Sequence, residues 1–90
     1  MKIVINKCWG GFSLSTAGEE EILRRGGATA DSWDIERTDP ILVEMVEEDS
    51  SLYSGSHARL HVVEIPDGVE WFIHDYDGQE HVAEKHRTWQ

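Results

Sequence analysis

"VEWFIHDYDGQEHVAEK", residues 69–85, is the stretch on which the fold turns. Asp77 and Gly78 make a two-residue hairpin signal, because the tight turn that suits twisted strands needs positive φ at both central positions. With those two residues at the turn, Tyr76 faces Gln79, His74 faces His81, Ile73 faces Val82, Trp71 faces Glu84 and Glu70 faces Lys85. The last pair carries opposite charges, which favours this register. Upstream, "ARLHVVEI" (58–65) reads as another strand and runs into "PDG" (66–68). That is a turn sequence, with Pro at the first central position and Gly where positive φ is required. At the other end of the chain, "KIVINKC" (2–8) alternates too little for a half-exposed strand and reads as a short, mostly buried one.

Two helices are expected between these strands. Thr16 and Glu19 have capping-box spacing ahead of "EEILRR" (20–25). Glu19–Glu21 near the start and Arg24 and Arg25 near the end match the helix dipole, and Gly26 stops the helix. In "TDPILVEMVEEDS" (38–50), Asp39 caps and Pro40 takes the first helical position, where its missing N–H costs nothing. Leu42, Met45 and Val46, with Ile41, form the apolar stripe of a helix ending near Ser50, and "SSLYSGS" (50–56) reads as a loop. In "GGATADSWDIERT" (26–38), Trp33 and Ile35 are spaced like one face of a brief strand. The expected architecture is α+β over a single domain, residues 1–90. It has an antiparallel sheet of three to four strands, the N-terminal strand joining the C-terminal three, with two short helices on one face.

The totals exclude several classes. Eighteen acidic against eight basic residues give a net charge of −10, which opposes direct binding to a nucleic-acid backbone. Hydrophobic content of 39% with four tryptophans opposes intrinsic disorder. One cysteine cannot make an internal disulfide, which points to a reducing compartment. "IVI" runs at once into Asn6 and Lys7, so no secretory h-region is read, and no apolar run reaches membrane-spanning length. A chain this short buries a modest core, and homo-oligomerisation through a sheet edge would extend it.

"MKIVINKCWGGFSLS" at the start, "DPILVEMVEE" in the middle and "VVEIPDGVEWFIHDYDGQEHVAEKHRTW" at the end resemble a family of small, mostly uncharacterised proteins of tailed phages and prophages. The resemblance covers residues 1–25 and 37–89. Many members of that family carry a longer segment between the first helix and the "DP" helix, where this chain has only residues 26–38. The resemblance implies a virus-encoded accessory protein working in the host cytoplasm, and no established enzyme activity.

The candidate sites lie at the two ends. In "NKCWGGFSLS" (6–15), a glycine pair between strand and helix brings backbone N–H groups near a helix N-terminus, where anions bind well. Lys7 adds charge, Trp9 and Phe12 offer stacking faces, and Gly10, Gly11 and Ser13 offer backbone or hydroxyl contacts. No Walker or dinucleotide-binding pattern accompanies them, and the competing reading is a tight corner whose aromatics fill the core. At the other end, Lys85, His86 and Arg87 gather scarce positive charge beside Trp89, an arrangement that suits a phosphate and a stacked base. Its competitor is an edge strand protected by charge. Cys8 reads as a small buried hydrophobe rather than a nucleophile. His74 and His81 converge across the hairpin but lack a third metal ligand, so no metal, cofactor or catalytic residue is assigned.

The leading expectation is therefore a phage-encoded accessory binding protein, for host takeover or counter-defence, that sequesters a small anionic, nucleotide-like ligand. The residues expected to hold it are Lys7, Trp9, Gly10, Gly11, Phe12, Ser13, Lys85, His86, Arg87 and Trp89. The alternative is an acidic inhibitor of a basic surface on a host defence or DNA-binding protein. An enzyme is least supported, because no nucleophile, base and orienting group come together.

Overall fold

A computed structural model describes residues 1–84. The elements run β1 (Lys2–Asn6), α1 (Thr16–Arg24), α2 (Pro40–Tyr53), β2 (Leu60–Glu64), β3 (Trp71–Tyr76) and β4 (Gln79–Glu84), an α+β fold. The β3–β4 register is the one that the turn chemistry dictates, from Tyr76 opposite Gln79 to Trp71 opposite Glu84. Asp77 and Gly78 both take positive φ, 52° and 87°. The Asp75 carboxylate accepts the Gly78 N–H at 2.9 Å and closes the turn from inside.

The single sheet of three to four strands does not form. Two two-stranded sheets take its place: β1 pairs antiparallel with β2, and β3 pairs with β4 alone. The reason lies on the outer edge of β1. A third strand would need the peptide groups of Val4 and Asn6, and these are already taken. The Val4 N–H donates to the Arg37 carbonyl at 2.8 Å, and the Arg37 guanidinium donates back to the Val4 carbonyl at 3.3 Å. The Asn6 N–H donates to Glu80 Oε1 at 2.9 Å. One carboxylate from β4 thus stands where a strand would have supplied backbone, and the edge is satisfied without extending the sheet.

The helices follow their caps, with shifts. The N-cap of α1 is Ser15 rather than Thr16; its hydroxyl accepts the Gly18 N–H at 3.0 Å. At the other end Gly26 (φ 89°) donates to the Leu23 carbonyl and Gly27 to the Ile22 carbonyl. That double return ends a helix on a glycine. Asp39 caps α2 by accepting from Ile41 and Leu42. The helix continues past the expected end near Ser50 to Tyr53, because the Asp49 carboxylate accepts the Leu52 N–H and restarts the last turn after a break at Asp49. As a result Ser50 and Ser54 lie on α2 or its cap. Ser50 donates to the Leu60 carbonyl, and Ser54 accepts the Leu60 N–H at 2.9 Å, fastening α2 to the start of β2.

The core joins Val4, Leu14, Ile22, Ile35, Leu42, Val43, Met45, Val46, Tyr53 and Leu60. α1 rests on α2, and α2 on β1 and β2. Arg25 ties the two helices by reaching Glu21, Glu44 and Glu48. Hydrogen bonds from Arg24 and then Arg25 pull the Glu21 carboxyl down to about 2, so the Glu21 part of this clasp stays ionised well into acid. Ile3 and Ile5 are also wholly buried, on the face of β1 opposite Val4. α2 and β4 both contact β1, besides its sheet partner β2.

The brief strand expected at Trp33 and Ile35 is a turn instead. Asp31 receives the Trp33 N–H on its carboxylate and the Asp34 and Ile35 N–H groups on its carbonyl. Helical winding separates residues two apart by about 200°. Ile35 therefore points inward at 6% exposure while Trp33 points out at 94%.

Candidate functional site

The loop that leaves β1 is organised by Asn6, which is fully buried. Its amide nitrogen donates to the carbonyls of Cys8 and Gly78, both at 2.6 Å. Its amide oxygen accepts from the N–H of Arg59 at 2.9 Å and of Cys8 at 3.2 Å. Both donors and both lone pairs are used. One side chain thereby joins the loop, the start of β2 and the tip of the β3–β4 hairpin.

The glycines of "WGG" serve close approach. A Cβ on Gly10 would lie 2.0 Å from the His57 carbonyl oxygen, and one on Gly78 would lie 2.3 Å from that of Trp9. The corner is therefore wedged between the hairpin tip and residue 57. Gly78→Ala is expected to destabilise the fold by about 2–4 kcal/mol, joining positive-φ strain to a backbone clash. Gly68→Ala, also at positive φ (82°) but with nothing within 4 Å, is expected to cost about 1 kcal/mol by strain alone. Urea titration of the two variants separates contact from conformation.

Two open grooves flank this loop, and they divide the expected ligand residues. Gly10, Gly11, Phe12 and Ser13 line a groove of about 910 Å³ with Glu19, Leu23, Asp31, Trp33, Arg37, Asp75 and Glu80. Arg37 is held by both oxygens of Glu80, at 2.6 and 3.0 Å, and its guanidinium lies 3.7 Å from the Phe12 ring centroid. Among the described residues the lining holds four carboxylates and one cation, Arg37, so an anion beside the glycine pair would meet net negative charge there.

Lys7 and Trp9 line the other groove, of about 610 Å³, together with Cys8, Ser51, Ser54, Gly55, Ser56, Ala58, Arg59 and Gln79. Among the described residues no carboxylate lines it. The Lys7 N–H donates to the Arg59 carbonyl at 2.8 Å, continuing the β1–β2 ladder by one bond. Lys7 and Arg59 are thus backbone neighbours one step past the last β1–β2 pair, the Arg59 N–H going to Asn6 Oδ1, and both residues line this groove. Among the described residues neither has a salt-bridge partner, whereas Lys2, Arg24, Arg25 and Arg37 are each paired with a carboxylate. Trp9 is 59% exposed and meets Tyr76 edge-on at 6.4 Å.

Lys85, His86, Arg87 and Trp89 lie outside the described residues. His74 and His81 face each other with ring centroids 4.8 Å apart, and among the described residues no group of three metal-ligating side chains gathers there or elsewhere. Among the described residues no helix is long and apolar enough to cross a membrane.

The sequence reading missed Arg59, Arg37 and Glu80. For Glu80 a signal existed: in the hairpin register it stands opposite Asp75, and like charges directly across a sheet are unfavourable unless one has a partner elsewhere. Arg59 carried no such mark, since it becomes a neighbour of Lys7 only when β1 and β2 pair. No family model, curated protein or solved structure matches this chain.

Proposed function

We propose that the protein is a virus-encoded accessory protein that captures a small anionic, nucleotide-like ligand in the groove at Lys7 and Arg59. The observation that carries this reading is the placing of two cations, neither with a salt-bridge partner among the described residues, on one groove of a chain whose net charge is −10. Like charges held on one groove repel each other. A phosphate or carboxylate between them removes that repulsion. Arg59 supplies a planar fork for such a group, Lys7 a second charge, and Ser51 and Ser56 exposed hydroxyls at the rim. Trp9 offers a half-exposed indole on which a base can stack. The resemblance of the end motifs to proteins of tailed phages supports a host nucleotide as the ligand class.

The test starts with the wild-type protein incubated in a bacterial nucleotide extract, reisolated, and heated to release what it holds. Mass spectrometry is expected to find an intact anionic nucleotide. A chemically altered product indicates an enzyme, and an empty protein removes the proposal.

Lys7→Ala and Arg59→Ala supply a second check. Without ligand each is expected to be as stable as the wild type or slightly more so, because the like-charge repulsion is gone. With the released nucleotide at about a hundred times its Kd, the wild type should gain about 2.7 kcal/mol and the variants far less. Equal gains in all three proteins would show that the groove is not where the ligand binds.

A further inference from the structure

The larger groove carries a second and independent assignment. Its walls combine apolar surface with negative charge: Trp33 at 94% exposure, Leu23 at 58%, the Phe12 ring, and the carboxylates of Glu19, Asp31, Asp75 and Glu80. Glu80 is spent on Arg37, and among the described residues Arg37 is the one basic residue in the lining. The remaining three carboxylates have no cationic partner among the described side chains. Backbone N–H groups of Trp33 and Gly78 hold one oxygen each of Asp31 and Asp75, which fixes where those charges stand.

An indole with almost its whole surface in water, standing at the end of a turn that Asp31 holds rigid, is poorly explained by folding. It is well placed to grip a partner. Charge complementarity names that partner's chemistry. We infer that this groove docks an extended basic segment of another protein, with a Lys or Arg side chain among Glu19, Asp31 and Asp75 and a neighbouring apolar side chain against Trp33 and Leu23. A concave acidic groove receives a cationic chain; a mimic of a nucleic-acid backbone would instead display its charges on a convex surface. A second copy of this chain is a poor occupant, because two chains of net charge −10 repel.

The experiment titrates the full chain with a labelled peptide of alternating Arg and Leu, with a Glu–Leu peptide as the opposite-charge control. Saturable binding of the Arg–Leu peptide alone, weakening as salt rises, is expected. Trp33→Ala is expected to weaken it by about tenfold or more, and Glu19→Lys by about tenfold through charge reversal in the groove. Glu64→Lys changes net charge equally, on β2 and outside the groove lining, and should leave the affinity within about twofold at physiological salt. Equal weakening by Glu19→Lys and Glu64→Lys would mean diffuse attraction to an acidic protein and would overturn the assignment. So would an unchanged affinity in Trp33→Ala. If the Glu–Leu peptide bound as well, the contact would be apolar adhesion and the stated partner chemistry would be wrong. Lys7→Ala should have no effect here, which keeps this result separate from the anion groove.

Discussion

Glu80→Ala is expected to lower the unfolding free energy by about 3–5 kcal/mol, the usual result of removing one member of a buried ion pair. Glu80 is only 6% exposed, and it accepts three hydrogen bonds from two groups. Its two oxygens bind the Arg37 guanidinium, and one of them also accepts the Asn6 N–H at the edge of β1. Alanine leaves Arg37 pressed on Phe12 without a counter-charge and leaves a buried backbone donor with no acceptor. Hydrogen exchange should report the damage locally, with the Asn6 amide losing protection before the α2 amides. Arg37→Met combined with Glu80→Leu should recover only the part of the loss due to the uncompensated charge, since the Asn6 N–H still lacks its acceptor. A Glu80→Ala protein within 1 kcal/mol of wild type in urea titration would show that β4 does not moor the hairpin through this residue.

Asn6→Ala should be almost as damaging. Four hydrogen bonds disappear at about 1 kcal/mol each, for a total near 3–4 kcal/mol. A small domain has roughly 5 kcal/mol to lose, so the variant should keep only about 1–2 kcal/mol of stability and melt at a much lower temperature. Asn6→Asp is nearly identical in shape and isolates the chemistry. It keeps an acceptor for the Cys8 and Arg59 N–H groups but sets a carboxylate oxygen against the carbonyls of Cys8 and Gly78, which now lack a donor. Its expected loss is at least that of alanine. A thermal scan that ranks Asn6→Asp close to wild type would mean the amide's two donors contribute little, and with them the joint between loop and hairpin.

These two residues also mark the limit of what could be read from the chain. The hairpin register was legible because Asp77 and Gly78 decide it within two positions. The capping of α2 was legible because Asp39 and Pro40 act on the turn beside them. Trp33 was misread because period-two spacing looks like a strand until Asp31 winds the segment. The Lys7 side of the candidate site was visible as a scarce cation beside an aromatic. Arg59, its partner, lies far along the chain and acquires meaning only from the β1–β2 ladder.

Local order came from local chemistry: turn residues, caps and apolar spacing act over a few positions, and they determined the helices, the hairpin and the α+β class. Which edges meet is a competition between distant groups, and only the tertiary structure decided it. There the Arg37 guanidinium and the Glu80 carboxylate reach the open edge of β1 and leave two sheets instead of one. The same competition sets two cations together on one side of the Trp9–Gly11 corner and gathers carboxylates on the other.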